Sequence, residues 1–212
     1  MYHDQLDGIG VVSHSDIDSA VAPSAREDGG GLWGWDDLRV DGTQVRLPAS
    51  SAPTWAQFNS ALYLYAFSSD GGEYAHFSAQ LPHGYVTHAA DQSPAMAPYW
   101  HVHFTDHAGA ISGSETVVFR LTYSVGPVNG KMSAEKTVDS TFTASGPTAQ
   151  RSSLMTADVM LDPTLDYRAS TILLCRIERL DTGTYAGDVG LLSTDFHIRV
   201  NRIGSSLISG VR

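Results

Sequence analysis

Cysteine is nearly missing from this chain of 212 residues, and the one copy, Cys175, excludes an intrachain disulfide. It lies inside "TILLCRIERL" (171–180), where apolar neighbours fit burial of a small hydrophobe rather than catalysis. Basic residues are scarce: 13 Lys and Arg face 23 Asp and Glu, a formal charge of −10. That balance argues against a phosphate-tracking, nucleic-acid-binding surface and against docking on anionic lipid. Charge of either sign is thin at 17%, which suits a surface buried against other subunits. No apolar run approaches the roughly 18–20 residues of a membrane span. The opening "MYHDQLDGIG" is acidic and lacks the basic-then-apolar layout of a signal peptide, so synthesis and folding in a reducing cytoplasm are expected.

Catalytic signatures are missing as well. There is no G-x-S-x-G elbow, no P-loop, no G-x-G-x-x-G and no C-x-x-C. "GGGLWG" (29–34) is glycine-rich but has no Lys-Ser/Thr end to cradle a phosphate. Asp36 and Asp37 are adjacent, so on a strand they face opposite ways and do not form a carboxylate pair.

What is present divides into two parts. Residues 1–31 hold short apolar spots, many small and acidic residues and a closing Gly triplet. They read as an extended N-terminal arm with a glycine hinge, either disordered or, the favoured reading, ordered only against a partner chain. Residues 32–212 are dominated by strand signals. β-rich runs occupy 60–67, 73–80, 99–105, 115–124, 136–144, 152–161, 170–180 and 191–200, with Gly, Pro, Asn or Asp in nearly every gap. "SSDGG" (68–72) reads as a hairpin-like connection. The expectation is an all-β domain, an antiparallel β-sandwich of jelly-roll type. Strand order is not legible, and immunoglobulin-like or barrel arrangements stay open at this point.

Two-residue alternation assigns faces. Trp100, Val102 and Phe104 oppose Tyr99, His101, His103 and Thr105; Phe196, Ile198 and Val200 oppose Asp195, His197 and Arg199. Val117, Phe119, Leu121 and Tyr123 form an apolar side, as do Leu173, Cys175 and Ile177 opposite Arg176 and Glu178. If these four strands share a sheet, its outer face is a layer of histidine and charge. Tyr99, His101, His103, Asp195, His197, Arg199, Arg176 and Glu178 are therefore the expected subunit-contact residues. Trp33, Trp35 and Trp55 form an aromatic group beside the hinge, expected to anchor the arm; stacking on sugar rings is the alternative.

"PYWHVHFTDH" (98–107) raises the question of a metal. Zinc or iron needs three or four convergent ligands, and His101 and His103 supply two, with His197, Asp195 or His107 to complete a set. The His-x-His resembles the first cupin motif, yet the first following glutamate is Glu115, beyond a glycine-rich turn. The second cupin element, Pro-x-Gly followed by His, has no counterpart before His197. The expectation is no cofactor and no catalytic residue; a metal, if bound, would use His101, His103 and His197.

Several segments together carry a family resemblance: "LWGWDDLRV" (32–40), "FSAQLPHGY" (77–85), "PYWHVHFTD" (98–106), "SSLMTADVML" (152–161), "ILLCRIERL" (172–180) and "LLSTDFHIRVNRIGS" (191–205). The pattern resembles a group of uncharacterised structural proteins of tailed bacteriophages, over residues 32–205 and excluding the arm. In that pattern the proline directly precedes the His pair, whereas here Tyr99 and Trp100 intervene. The resemblance implies a non-enzymatic virion component: an appendage, fibre base, head–tail or head-decoration protein. Its partners would be other virion proteins and further copies of itself, as a trimer, with no nucleic acid or membrane. A cupin-like metalloprotein and a carbohydrate-binding receptor module are the alternatives.

Overall fold

The alternation of "TVVFRLTYSVG" is what a strand buried on one face requires. In the computed structural model, which describes residues 33–85, 97–107, 109–148 and 152–201, Val117, Phe119, Leu121 and Tyr123 are all buried. Their strand, β6 (Thr116–Gly126), is central in a four-stranded sheet with β4 (Tyr74–Gln80), β10 (Ile172–Leu180) and β7 (Lys136–Thr143), ordered β4-β10-β6-β7. The opposing sheet is built on β11 (Val189–Asn201) and β5 (Tyr99–Asp106). One side of β11 takes β3 (Tyr63–Phe67) at its start and β1 (Trp33–Asp41) further on, with β2 (Thr54–Gln57) beyond β3. The free side of β5 takes β8 (Ser153–Met155) and β9 (Val159–Met160). All pairings are antiparallel.

Following the chain, β3, β5, β8–β9 and β11 lie in one sheet while β4, β6–β7 and β10 lie in the other. This alternation, with the last long strand between the first and the middle ones, is the jelly-roll arrangement. Trp100, Phe104, Phe196 and Leu191 from one sheet meet Phe119, Phe77, Leu173 and Ile177 from the other in a single apolar core. The rings interlock across it: Phe67–Phe119 at 6.0 Å and Phe104–Phe119 at 5.8 Å between centroids.

The structure corrects three readings of the sequence and adds a strand that the expected runs left out. Strands β5 and β11 pair with each other, but β6 and β10 belong to the opposite sheet, so the histidine face and the Arg176–Glu178 face are on opposite sides of the sandwich. "SSDGG" does not close a hairpin, because β3 and β4 belong to different sheets. It arches between them through Gly71 and Gly72 at φ 72° and 77°, a region costly for other residues. Strand β1, "WGWDDLRVD", is a full ladder partner of β11 despite carrying one Gly and three Asp; tertiary pairing overrides weak β-propensity. The run 152–161 is two short strands rather than one. Thr156 breaks it by bonding Val102 twice, with its N–H to the Val102 carbonyl and its Oγ1 accepting from the Val102 N–H, both at 3.0 Å.

The expected arm, residues 1–31, lies outside the described residues. Among the described residues no helix is long and apolar enough to cross a membrane.

Candidate functional site

A β-bulge decides which way the polar residues of β11 point. Leu191 pairs with Phe104 and Ser193 with His103, so Leu192 is an extra residue and the register shifts there. Beyond the bulge, Thr194 and Phe196 face the core, and Ser193, Asp195 and His197 share the outer face with His103, His101 and Tyr99. Register with β1 adds Asp37 opposite His197 and Arg39 opposite Asp195. The kink after β8 then lays Asp158 over this face.

The result is a compact network on the outer side of the sheet. His101 Nε2 and His103 Nε2 share a hydrogen bond at 3.0 Å. Arg39 Nε donates to Asp195 Oδ2 at 3.0 Å, and that oxygen also lies 3.6 Å from His103 Nε2. On the other flank of His101, Asp158 Oδ1 is 2.9 Å from His101 Nδ1 and 3.3 Å from His197 Nδ1. His197 Nε2 in turn lies 3.1 Å from Asp37 Oδ1. The His101 ring sits between the other two imidazoles, with centroids at 4.8 Å to His103 and 4.5 Å to His197.

Burial is uneven. Asp195 is fully buried and His101 is 1% exposed, whereas His103, His197 and Asp158 reach solvent. Burial, and next the neighbouring His197, push the His101 imidazole below the usual histidine pKa, with the Asp158 charge opposing. Trp35 packs edge-on to Tyr99 at 5.9 Å. Together with Asp36, Asp37, Asp158 and His197 they line a cleft of about 520 Å³ open to solvent.

Of the expected contact residues, Tyr99, His101, His103, Asp195 and His197 come together here, and Arg199 lies further along the same face of β11. His101 and Asp195 are already covered within the chain and offer a neighbour no surface. Arg176 and Glu178 pair with each other at 2.6 Å on the far sheet, where Arg176 also lies 4.0 Å over the Tyr74 ring.

The expected metal set His101, His103 and His197 is divided: His103 groups with Asp195, and His197 with Asp158, on either side of His101. Asp158, Asp37 and Arg39 were missed. The only sequence signal for Asp158 is the small polar break "TAD" in an apolar run. The tryptophan group is divided too. Trp35 stands on the outer face beside Tyr99, while Trp55 pairs with Tyr65 on the face that carries Leu191. Trp33 opens β1 opposite Asn201.

No family model and no curated protein matches the chain. Among solved structures, "Structure of infectious bursal disease virus Gx strain" is similar to it at a TM-score of 0.28 and 13% identity, over 76% of this chain. The chain spans 40% of the length of that viral chain. The jelly-roll assignment rests on the strand pairing alone.

Proposed function

We propose that the chain is a non-enzymatic structural component of a tailed-phage virion, made in the host cytoplasm and assembled as a homo-oligomer, a trimer, beside other virion proteins. The jelly-roll serves capsid proteins, lectins and cupins alike, so the fold does not choose between roles. The observation that carries the reading is an exposed apolar edge. On the β2–β3 hairpin Trp55, Leu62 and Tyr63 are 48%, 60% and 47% exposed. The Trp55 and Tyr63 rings stack at 5.9 Å, and β2 is the terminal strand of its sheet. A hairpin at the edge of a sheet that bears large exposed apolar side chains is a surface made to be covered. The phage-family resemblance of residues 32–205 supports the same reading and names the kind of particle.

Sedimentation of the purified chain at micromolar concentration tests it, with mass spectrometry of purified particles. A homo-oligomer that dissociates in Trp55→Ser/Tyr63→Ser, and a chain found in particles, are expected. A monomer absent from particles overturns the reading.

A further inference from the structure

The contact between His101 Nδ1 and Asp158 Oδ1 is short, at 2.9 Å, yet it is not a hydrogen bond: the buried nitrogen has no hydrogen-bonding partner. At that distance the carboxylate must lie well off the axis along which a ring proton would point. Two donor-capable atoms held this close without a hydrogen bond between them are arranged as neighbouring ligands of one cation are. His197 Nδ1 comes to the same place, 3.3 Å from the same Asp158 oxygen. One donor atom from each of the three residues lies within 4.8 Å of the others. A cation held at about 2.0–2.2 Å by nitrogen and oxygen donors spaces tetrahedral ligands by about 3.3 Å. The His197–Asp158 spacing of 3.3 Å equals that value, and the His101–Asp158 spacing of 2.9 Å is a few tenths of an ångström shorter.

The surroundings match what metal-bound histidines need at their second nitrogen. His101 Nε2 is engaged by His103 at 3.0 Å, and His197 Nε2 faces the Asp37 carboxylate at 3.1 Å. Both rings thus have their Nε2 side occupied and their Nδ1 side directed toward Asp158. The neighbouring group of His101, His103 and Asp195 is different. Its two imidazoles already bond each other, and its carboxylate is neutralised by Arg39, whose cation repels a second one.

We propose that His101, Asp158 and His197 bind a divalent first-row transition cation of the Zn²⁺ class, with a further coordination position open to the cleft beneath Trp35 and Tyr99. Two imidazoles and one carboxylate select such ions over Mg²⁺ and Ca²⁺, which take oxygen donors. Asp37 is a positioning residue that orients His197 and does not touch the ion. The site fixes the β8–β9 kink to the β1–β11–β5 face, cross-linking three separate parts of the chain.

The test is calorimetric titration of the full chain, without an affinity tag and stripped with a chelator, using Zn²⁺ alone. One Zn²⁺ per chain is expected, undisplaced by excess Mg²⁺. Asp37→Asn should weaken binding about 10–100-fold; Asp158→Asn and His197→Gln should weaken it further, while His76→Ala, on the other sheet, leaves it unchanged. Each variant is also melted with and without Zn²⁺ against its own metal-free baseline, so that a less stable variant still gives a reading. Zn²⁺ should raise the melting temperature of the parent and not of Asp158→Asn or His197→Gln. Absence of Zn²⁺ uptake by the parent, uptake unaltered by both substitutions, or displacement by Mg²⁺ overturns the proposal.

Discussion

Arg39 Nε stands 3.0 Å from Asp195 Oδ2, joining a half-exposed guanidinium to a carboxylate with no solvent exposure. The two residues are 156 positions apart and are direct partners in the β1–β11 register. Removal of Arg39 would leave a buried carboxylate facing only neutral or weakly basic imidazoles. Breaking a buried pair costs about 3–5 kcal/mol, and the exposure of Arg39 reduces this through solvent screening. Arg39→Met should therefore lower stability by about 2–3 kcal/mol, seen as a lower urea midpoint with an unchanged slope. A loss near zero would mean that water replaces the guanidinium without cost.

Arg179 carries a second buried charge, and it lies on the core face of β10. Its guanidinium donates to the carbonyls of Phe67, Tyr185 and Gly187 at 3.1, 2.7 and 2.7 Å. It ties the end of β3 to the turn before β11. Arg179→Lys keeps the charge but loses the planar fork, leaving buried carbonyls without donors. A loss on the order of 2–4 kcal/mol is expected, with Arg179→Met at least as damaging. Hydrogen exchange should show residues 181–188 losing protection first.

Gly42 follows β1 and packs directly on the bulge. A Cβ there would meet the Leu191 carbonyl oxygen at 2.5 Å and that of Leu192 at 3.0 Å, both backbone atoms that cannot rotate away. Gly42→Ala should cost about 2–3 kcal/mol, read from thermal unfolding. Gly146→Ala, where a Cβ meets nothing within 4 Å, is the matched control and should be close to neutral.

Asp162 offers a pH test remote from the histidines. Its carboxylate accepts from Lys136 Nζ at 2.8 Å and from the Thr164 hydroxyl and N–H at 2.6 and 2.9 Å. The Lys136 bond chiefly, then those from Thr164, lower its pKa from 3.8 to about 2. A depressed folded pKa means that the unfolded chain binds the proton first as pH falls. The contribution is thus complete above about pH 3.8 and is lost as the pH falls toward 2. Carbon-detected NMR titration should place Asp162 near 2, and Lys136→Gln should move it upward.

The faces of the long strands were legible because burial on one side imposes a period of two. Trp100, Val102 and Phe104, and likewise Leu173, Cys175 and Ile177, are buried as alternation requires. The next core-facing position on β10 breaks the rule: Arg179 is buried where an apolar residue is expected, because two turn carbonyls and that of Phe67 at the end of β3 take its donors there. Gly42 gave no local sign of its role, since the crowding atoms belong to a strand about 150 residues away in sequence.

The candidate site divides along the same line. His101 and His103 were legible as one-sided because their strand sets them two residues apart. Asp195 and His197 followed from the same period on β11. Their mutual contact needed the β5–β11 register and the Leu192 bulge, which fixes the outward face. Arg39, Asp37 and Asp158 come from β1 and from a kink, where sequence carries no periodic signal. The sequence by itself determined an all-β chain, the apolar face of each long strand and the one-sidedness of the histidines, because these depend on neighbours two positions apart. Only the tertiary structure decided which strands share a sheet, and with that which carboxylate each imidazole meets. Those pairings join residues far apart in the chain, and their energy comes from burial and register, which no local pattern records.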